Sequence, residues 1–168
     1  MRPTIILYFL VLSSLLQAVV NTEPQQNVSF KRYLGRWYEQ ARFENWFEEG
    51  MEHVYTDYLP LQDGAIQVIN HGTSEQGYPE QARGRAFIAG KGVLDISFVW
   101  PYWWFRTPYK ILYVDPDYQS ALISCEGDEY LWLLTRKKTA SPEQIETLRK
   151  EAQRRGFDTS KLRFTNQK

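Results

Sequence analysis

From Gly35 onward, apolar and polar residues alternate in short runs, each closed by turn residues. A period of two marks strands with one buried face. The runs fall at Gly35–Phe43, 53–61, 65–72, 81–89, 93–100, Thr107–Val114, Ser120–Cys125 and Tyr130–Thr135. Gln62-Asp63-Gly64, Gly90-Lys91-Gly92 and Asp115-Pro116-Asp117 are among the turns between them, and such residues favour tight reversals. No helical period interrupts the series, which argues against βαβ units and for an antiparallel meander. Eight strands so spaced close naturally into a barrel, which removes exposed edges. A single helix follows. Ser141 caps it, Pro142 suits its first position, Gln144 completes a capping box, and Gly156 ends it. Ile145, Leu148 and Ala152 form one narrow apolar stripe, as expected of a helix lying on the outside of a barrel. Residues 161–164 add a short further strand. The expected fold is all-β: an eight-stranded antiparallel up-and-down β-barrel with one C-terminal α-helix packed outside.

The first twenty residues follow a different pattern. Arg2 precedes an uncharged apolar run from Ile5 to Leu16, and small residues follow near Ala18. This reads as a secretory signal over residues 1–20, with an uncleaved anchor as the alternative. Residues 5–20 fall short of the ~20 apolar residues that span a bilayer comfortably. Residues 21–30 are then a linker, and residues 31–168 the folded domain. The stretch Gln17-Ala18-Val19-Val20-Asn21 holds no cysteine that could accept a lipid. The expected location is the periplasm or outer membrane, with lipid anchoring doubtful. Asn27-Val28-Ser29 is a glycosylation sequon, meaningful only in a eukaryotic secretory route.

Composition narrows the function. The 168 residues carry 20 Lys+Arg against 20 Asp+Glu, two His and one Cys. A balanced charge gives no basic face for nucleic acid. One cysteine allows neither an internal disulfide nor a Cys-rich zinc site, and nothing in the spacing suggests a metal or cofactor. Six Trp, 11 Tyr and nine Phe suit strands around a large apolar interior.

Three motifs stand in order along the chain. Tyr33 to Glu39 contains Gly35-Arg36-Trp37-Tyr38; Val114-Asp115-Pro116-Asp117-Tyr118 precedes Ala121-Leu122; Tyr130 to Thr135 ends against Arg136. Together with the helix, they resemble the lipocalin family, in particular the bacterial outer-membrane lipocalins and their apolipoprotein D relatives. The resemblance runs from about Lys31 to Phe164. It implies that Trp37 plugs the closed end of the barrel with the Arg136 guanidinium over its ring, a cation–π contact. Gly35, Trp37, Tyr38, Asp115, Tyr118 and Arg136 are accordingly structural.

Alternation assigns the interior. Ile96, Phe98 and Trp100 share a face on the fifth strand with Leu94; Tyr109, Ile111 and Tyr113 share one on the sixth; Trp132 shares one with Leu134 and Tyr130. With Tyr58 and Asn70, these residues are the expected cavity lining. Ala82, Gly84 and Ala86 face them with little bulk, and eight strands can enclose one small ligand. The polar handles would be tyrosine hydroxyls, the Trp132 N–H and Asn70, with no inward Lys or Arg deep inside. Such a pocket suits the acyl chain of a fatty acid or lysophospholipid.

At the expected mouth, residues 98–106 (FVWPYWWFR) form a dense aromatic run, either a membrane-touching tip or a loop folded over the opening. Glu48 and Glu49 are placed to meet a cationic head group or to stay solvated. The sequence thus describes a non-catalytic protein that stores or transports a lipid in the bacterial cell envelope. Two other classes stay open: a lipid-modifying enzyme using Cys125, and an interaction module acting through loop 100–106. A nucleophilic cysteine needs a base within reach, and neither His53 nor His71 is paired with Cys125 by the sequence.

Overall fold

The structure, a computed structural model, describes residues 19–98 and 105–168. A one-turn helix α1 (Phe30–Tyr33) leads into eight strands: β1 (Gly35–Phe43), β2 (Glu52–Pro60), β3 (Ile66–Thr73), β4 (Pro79–Gly90), β5 (Val93–Ser97), β6 (Thr107–Val114), β7 (Ser120–Cys125) and β8 (Tyr130–Thr135). Helix α2 (Pro142–Arg154) and a short strand β9 (Leu162–Phe164) follow. Each strand pairs antiparallel with the next, and β1 pairs with both β8 and β2, which closes the barrel. The loops after β1, β3, β5 and β7 therefore gather at one end, the mouth. The turns after β2, β4 and β6 gather at the other with α1.

The sequence pattern places β1, β6, β7 and β8 with the bounds they have here. The fifth strand is shorter than its alternation suggests and stops at Ser97, so Phe98 belongs to the mouth loop. Within residues 21–30, read as a linker, Gln25 lies along β6: its N donates to Ile111 O at 2.9 Å and its Oε1 accepts from Val114 N at 2.9 Å. Helix α1 has no signature in the hydrophobic pattern, because four residues are too few to show a period.

Two apolar cores result. The inner one fills the lower barrel with Tyr33, Trp37, Tyr58, Val68, Leu94, Ile111 and Ile123 among others. The outer one lies between α2 and the barrel wall, where Leu148, Ala152 and Phe157 meet Ala41, Phe43, Leu112, Leu122, Leu131 and Leu133. Helix α2 is capped as the sequence implies, with Ser141 and Gln144 bonding each other reciprocally.

Closure at the seam between β1 and β2 differs along its length. Direct pairing covers only Gly35 to Tyr38. Beyond that the strands part, and the C-terminal residues fill the gap: β9 pairs with Ala41 to Phe43, and His53 N donates to Asn166 O at 2.9 Å. Gln167 Nε2 donates to both Glu39 O and Val54 O at 2.7 Å, stitching the two strands together.

Candidate ligand-binding site

Cross-strand partners in register share a face of the sheet, so the ladders fix what points into the barrel. Leu134 belongs to the inner core, and its partner on β1 is Glu39; Trp132 packs against the same core, and its partner is Arg42. Both charged residues are therefore inward. A β-bulge at Gln40 makes this possible, because the extra residue turns Gln40 and Ala41 to the outside together. The expectation of no inward Lys or Arg deep inside therefore does not extend to the upper barrel, where Arg42 points inward. Arg42 is wholly buried. It donates to Glu39 Oε1 at 2.7 Å and, from the other nitrogen, to Glu48 O at 2.5 Å. Thr165 from the C-terminal tail donates its hydroxyl to the same Glu39 oxygen. Burial, reinforced by nearby Glu48 and opposed by Arg42, pushes the Glu39 carboxyl up to about 7.

The mouth loop 44–51 is tied down over this pair. Trp132 Nε1 donates to Glu48 Oε2 at 2.9 Å, and Asn45 Nδ2 donates to the same oxygen at 2.7 Å. Phe47 stacks on Tyr130, which stacks on Trp132 with ring centroids 5.8 Å apart. Trp46 beside it is 81% exposed and borders a rim cleft of about 350 Å³ with Glu49 and Glu75.

Deeper in, three tyrosines form a floor. Tyr58 donates to the Tyr109 hydroxyl at 2.8 Å, and Tyr109 and Tyr33 hydroxyls lie 2.7 Å apart. Burial raises all three phenols above their ordinary range, so they stay neutral. Around them Val68, Ala86, Leu94, Ile111 and Ile123 are closely packed. Between floor and mouth the inner face opens. Asn70 and Trp132 are half-buried, Ala82 is exposed, Gly84 is buried, and Phe98 is 43% exposed. A side chain at Gly84 would collide with Phe98, its Cβ 2.8 Å from the ring, so the glycine lets Phe98 lie against β4.

Of the cavity residues read from the sequence, Tyr58, Ile96, Tyr109 and Ile111 sit in the inner core, and Asn70, Phe98 and Trp132 border its open part. Tyr113 does not join them. A second bulge, at Leu112, breaks the alternation of β6, so Leu112 and Tyr113 both face α2 while Val114 returns to the inner core. Tyr113 instead borders an outer cleft of about 280 Å³ with Thr147, Lys150, Glu151 and Arg154. Trp100 lies outside the described residues. The polar handles are also engaged: Trp132 by Glu48, Asn70 by Thr56 at 2.9 Å, and the phenols by one another.

At the closed end, the Arg136 guanidinium lies 3.9 Å from the Trp37 ring and donates to the carbonyls of Arg32, Tyr33, Arg36 and Tyr118. Gly35 has φ +97°, a backbone conformation that favours glycine, and a Cβ there would also crowd Arg136 at 3.3 Å. Asp115 accepts the amides of Asp117 and Gln119 at 2.9 Å and that of Ser120, which orders the turn before β7. The Tyr118 hydroxyl accepts Ser29 N at 2.7 Å, and Tyr38 packs outside against Tyr55.

Sequence reading missed Arg42, Glu39 and Thr165. The available signal is an oppositely charged pair on a strand that also carries Trp37, Tyr38, Ala41 and Phe43.

A closed antiparallel barrel with a tryptophan–arginine plug and one external helix defines a class of small-molecule carrier folds, and the comparisons agree. The chain matches the lipocalin-like domain family over residues 28–167, and it belongs to that family. It is 38% identical over 145 residues to the outer membrane lipoprotein Blc of Escherichia coli, covering 84% of this chain and 80% of that protein. It is 34% identical to Blc of Vibrio cholerae, covering 97% and 96%. Among solved structures, insecticyanin from the tobacco hornworm Manduca sexta superposes with a TM-score of 0.71 at 16% identity, covering 87% of this chain and 84% of that one.

Proposed function

We propose that the protein binds and stores or transports a hydrophobic ligand, a fatty acid or lysophospholipid, in the bacterial cell envelope, without catalysis. The observation that carries this reading is the accessible inner face above the tyrosine floor, bordered by Asn70, Ala82, Phe98 and Trp132. An acyl chain laid there loses about 0.8 kcal/mol of hydration cost per buried methylene. Ten methylenes contribute about 8 kcal/mol gross, and association costs of ~4–15 kcal/mol offset much of it. Ile96, Tyr58, Tyr109 and Ile111 form the base on which the chain rests. The envelope location draws on the likeness to outer membrane lipoproteins.

The rim supports contact with a membrane surface. Trp46, Phe47, Phe98 and Phe105 are exposed at the mouth end, and aromatic rings favour the bilayer interface. The alternative of catalysis at Cys125 has little support, since burial pushes its thiol up to about 12, opposite to an activated nucleophile. The test is native mass spectrometry of the purified mature chain with lipid extraction. A co-purifying acyl lipid of one-to-one stoichiometry is expected. An empty chain that also fails to take up added palmitate or lysophospholipid overturns the reading. Deleting residues 102–105 separates transport from interaction: fatty-acid affinity falls if the loop closes the cavity, and stays unchanged with lost association if the loop alone matters.

A further inference from the structure

The buried cation of the upper barrel is only partly satisfied. Arg42 points inward by its register with Trp132, and none of its surface reaches solvent. Its terminal nitrogens are taken: one donates to Glu39 Oε1 at 2.7 Å and to Met51 O at 3.3 Å, the other to Glu48 O at 2.5 Å. Its Nε is buried and has no acceptor among the described residues. A buried donor left unpaired is costly and asks for an explanation, the more so on a charged group. The charges around it are also unevenly held. Glu48 commits a carboxylate oxygen to Trp132 and Asn45 and offers Arg42 only its backbone carbonyl. Glu44 lies 3.4 Å from Arg42, stays half-exposed, and pairs with Arg163, which also holds Glu52. From β8 and the C-terminal tail come the uncharged Trp132, Thr165 and Gln167, and His53 meets that tail through its backbone amide. Among the described residues, Glu39 is therefore the one buried carboxylate in contact with the guanidinium.

We propose that Arg42 anchors the anionic head of an acyl ligand, a carboxylate or phosphate oxygen that takes Nε and replaces Glu39 as the counter-ion. The inference rests on the reading above that the upper lumen takes such a ligand, and it sets the head beneath loop 44–51 with the tail toward the tyrosine floor. Charge balance supplies the rest. The ligand, Glu39 and Glu48 cannot all stay ionised around one buried guanidinium, because like charges in a poorly solvated site favour the neutral form of one of them. Glu39 is the group that yields. It is buried in the wall, Glu48 acts on it from the mouth loop, and its carboxyl already lies at about 7. Each anion bound therefore brings a proton onto Glu39, and Arg42 passes from one carboxylate to another with its charge still balanced. A neutral head offers Nε an acceptor but no charge, and it leaves Glu39 as it was.

The experiment compares dodecanoate and 1-lauroyl-lysophosphatidylcholine with 1-dodecanol, each below its micellar concentration and displacing an apolar fluorescent probe from the mature protein. Relative to 1-dodecanol, dodecanoate affinity should fall about tenfold between pH 6 and pH 8, because Glu39 must hold its proton in the complex. A parallel fall for the lysophospholipid extends the site to phosphate, and a flat profile for it confines the site to carboxylates. Calorimetry in buffers of different ionisation enthalpy should show about one proton taken up per dodecanoate at pH 8, and none with 1-dodecanol. Glu39→Gln should hold the dodecanoate-to-dodecanol ratio at its pH 6 level throughout. Arg42→Gln should lower that ratio at pH 6 by roughly ten- to hundredfold, the worth of a charge-assisted hydrogen bond. If the Arg42 variant unfolds, proton uptake by wild type decides. Dodecanoate binding without proton uptake, or a pH dependence that survives Glu39→Gln, overturns the inference while lipid binding stands. Failure of 1-dodecanol to bind along with the two anchored chains overturns the lipid-binding reading itself.

Discussion

The two ends of the barrel solve the same problem by different chemistry. At the closed end, Arg136 is a cation with no carboxylate partner; its charge lies over the Trp37 ring and its donors meet four backbone carbonyls. Toward the mouth, Arg42 is also buried, but it is balanced by a carboxylate, Glu39, itself buried within the wall. Backbone carbonyls and an indole face hold a charge state that does not change between pH 5 and 9. A buried carboxylate does change, because burial favours its neutral form. The closed end is therefore built to be invariant, and the mouth, where a ligand must enter, rests on a titratable contact.

The largest effects should come from breaking either end outright. Trp37→Ala removes the plug on which Tyr33 and Arg136 both pack, and a loss of about 3–5 kcal/mol is expected from denaturant titration. That loss should be the same at pH 5 and pH 8. Arg42→Ala should cost about 3–5 kcal/mol at pH 8, since it strands buried Glu39. At pH 5 the same variant should lose markedly less, because Glu39 can take up a proton. Equal costs for Arg42→Ala at both pH values would erase the contrast between the two ends.

How far the sequence announces each end reflects how local its determinants are. The plug is written in motifs: Gly35 must be glycine, Trp37 is two residues on, and Arg136 follows β8 directly. Strand order and most strand bounds are legible for the same reason, since a period of two needs only neighbouring residues. The mouth is not written locally. Its chemistry depends on the bulge at Gln40, and one inserted residue reverses every later assignment on β1. Strict alternation from Trp37 would carry Ala41 and Phe43 inward, yet both pack under α2. The bulge at Leu112 misplaces Tyr113 in the same way. Thr165 and Gln167 reach Glu39 from the far end of the chain, through pairings no window of residues contains.

A milder change sharpens the comparison. The Glu39 carboxyl is raised to about 7 from an ordinary value near 4.5. A group that holds its proton more tightly when folded stabilises the fold fully below its unfolded pKa. That contribution is lost as pH rises through the folded one. Wild-type stability should therefore fall between about pH 5 and pH 8, by roughly 2–3 kcal/mol at most. Glu39→Gln keeps the shape and removes the titration, so its melting temperature should be nearly flat over that window. A wild-type curve that rises with pH there would mean that Arg42, not burial, governs Glu39.

The smallest expected effect isolates the latch from the wall. Trp132→Phe keeps an aromatic ring stacked with Tyr130 but removes the N–H that Glu48 accepts. The bond is half-buried, and Arg42 still donates to the loop carbonyls of Glu48 and Met51, so the stability loss should stay at about 1 kcal/mol. Its consequence should be kinetic. With the Trp132 tie gone, loop 44–51 lifts more often, and ligand should both enter and leave faster in stopped-flow fluorescence. Equilibrium affinity should change little, because both rates rise together. The equivalent perturbation of the floor, Tyr58→Phe, should leave both rates as they are, because no part of the entry path moves. If Tyr58→Phe speeds exchange as much as Trp132→Phe does, the ligand does not pass through the mouth, and the division of labour between a fixed floor and a movable rim fails.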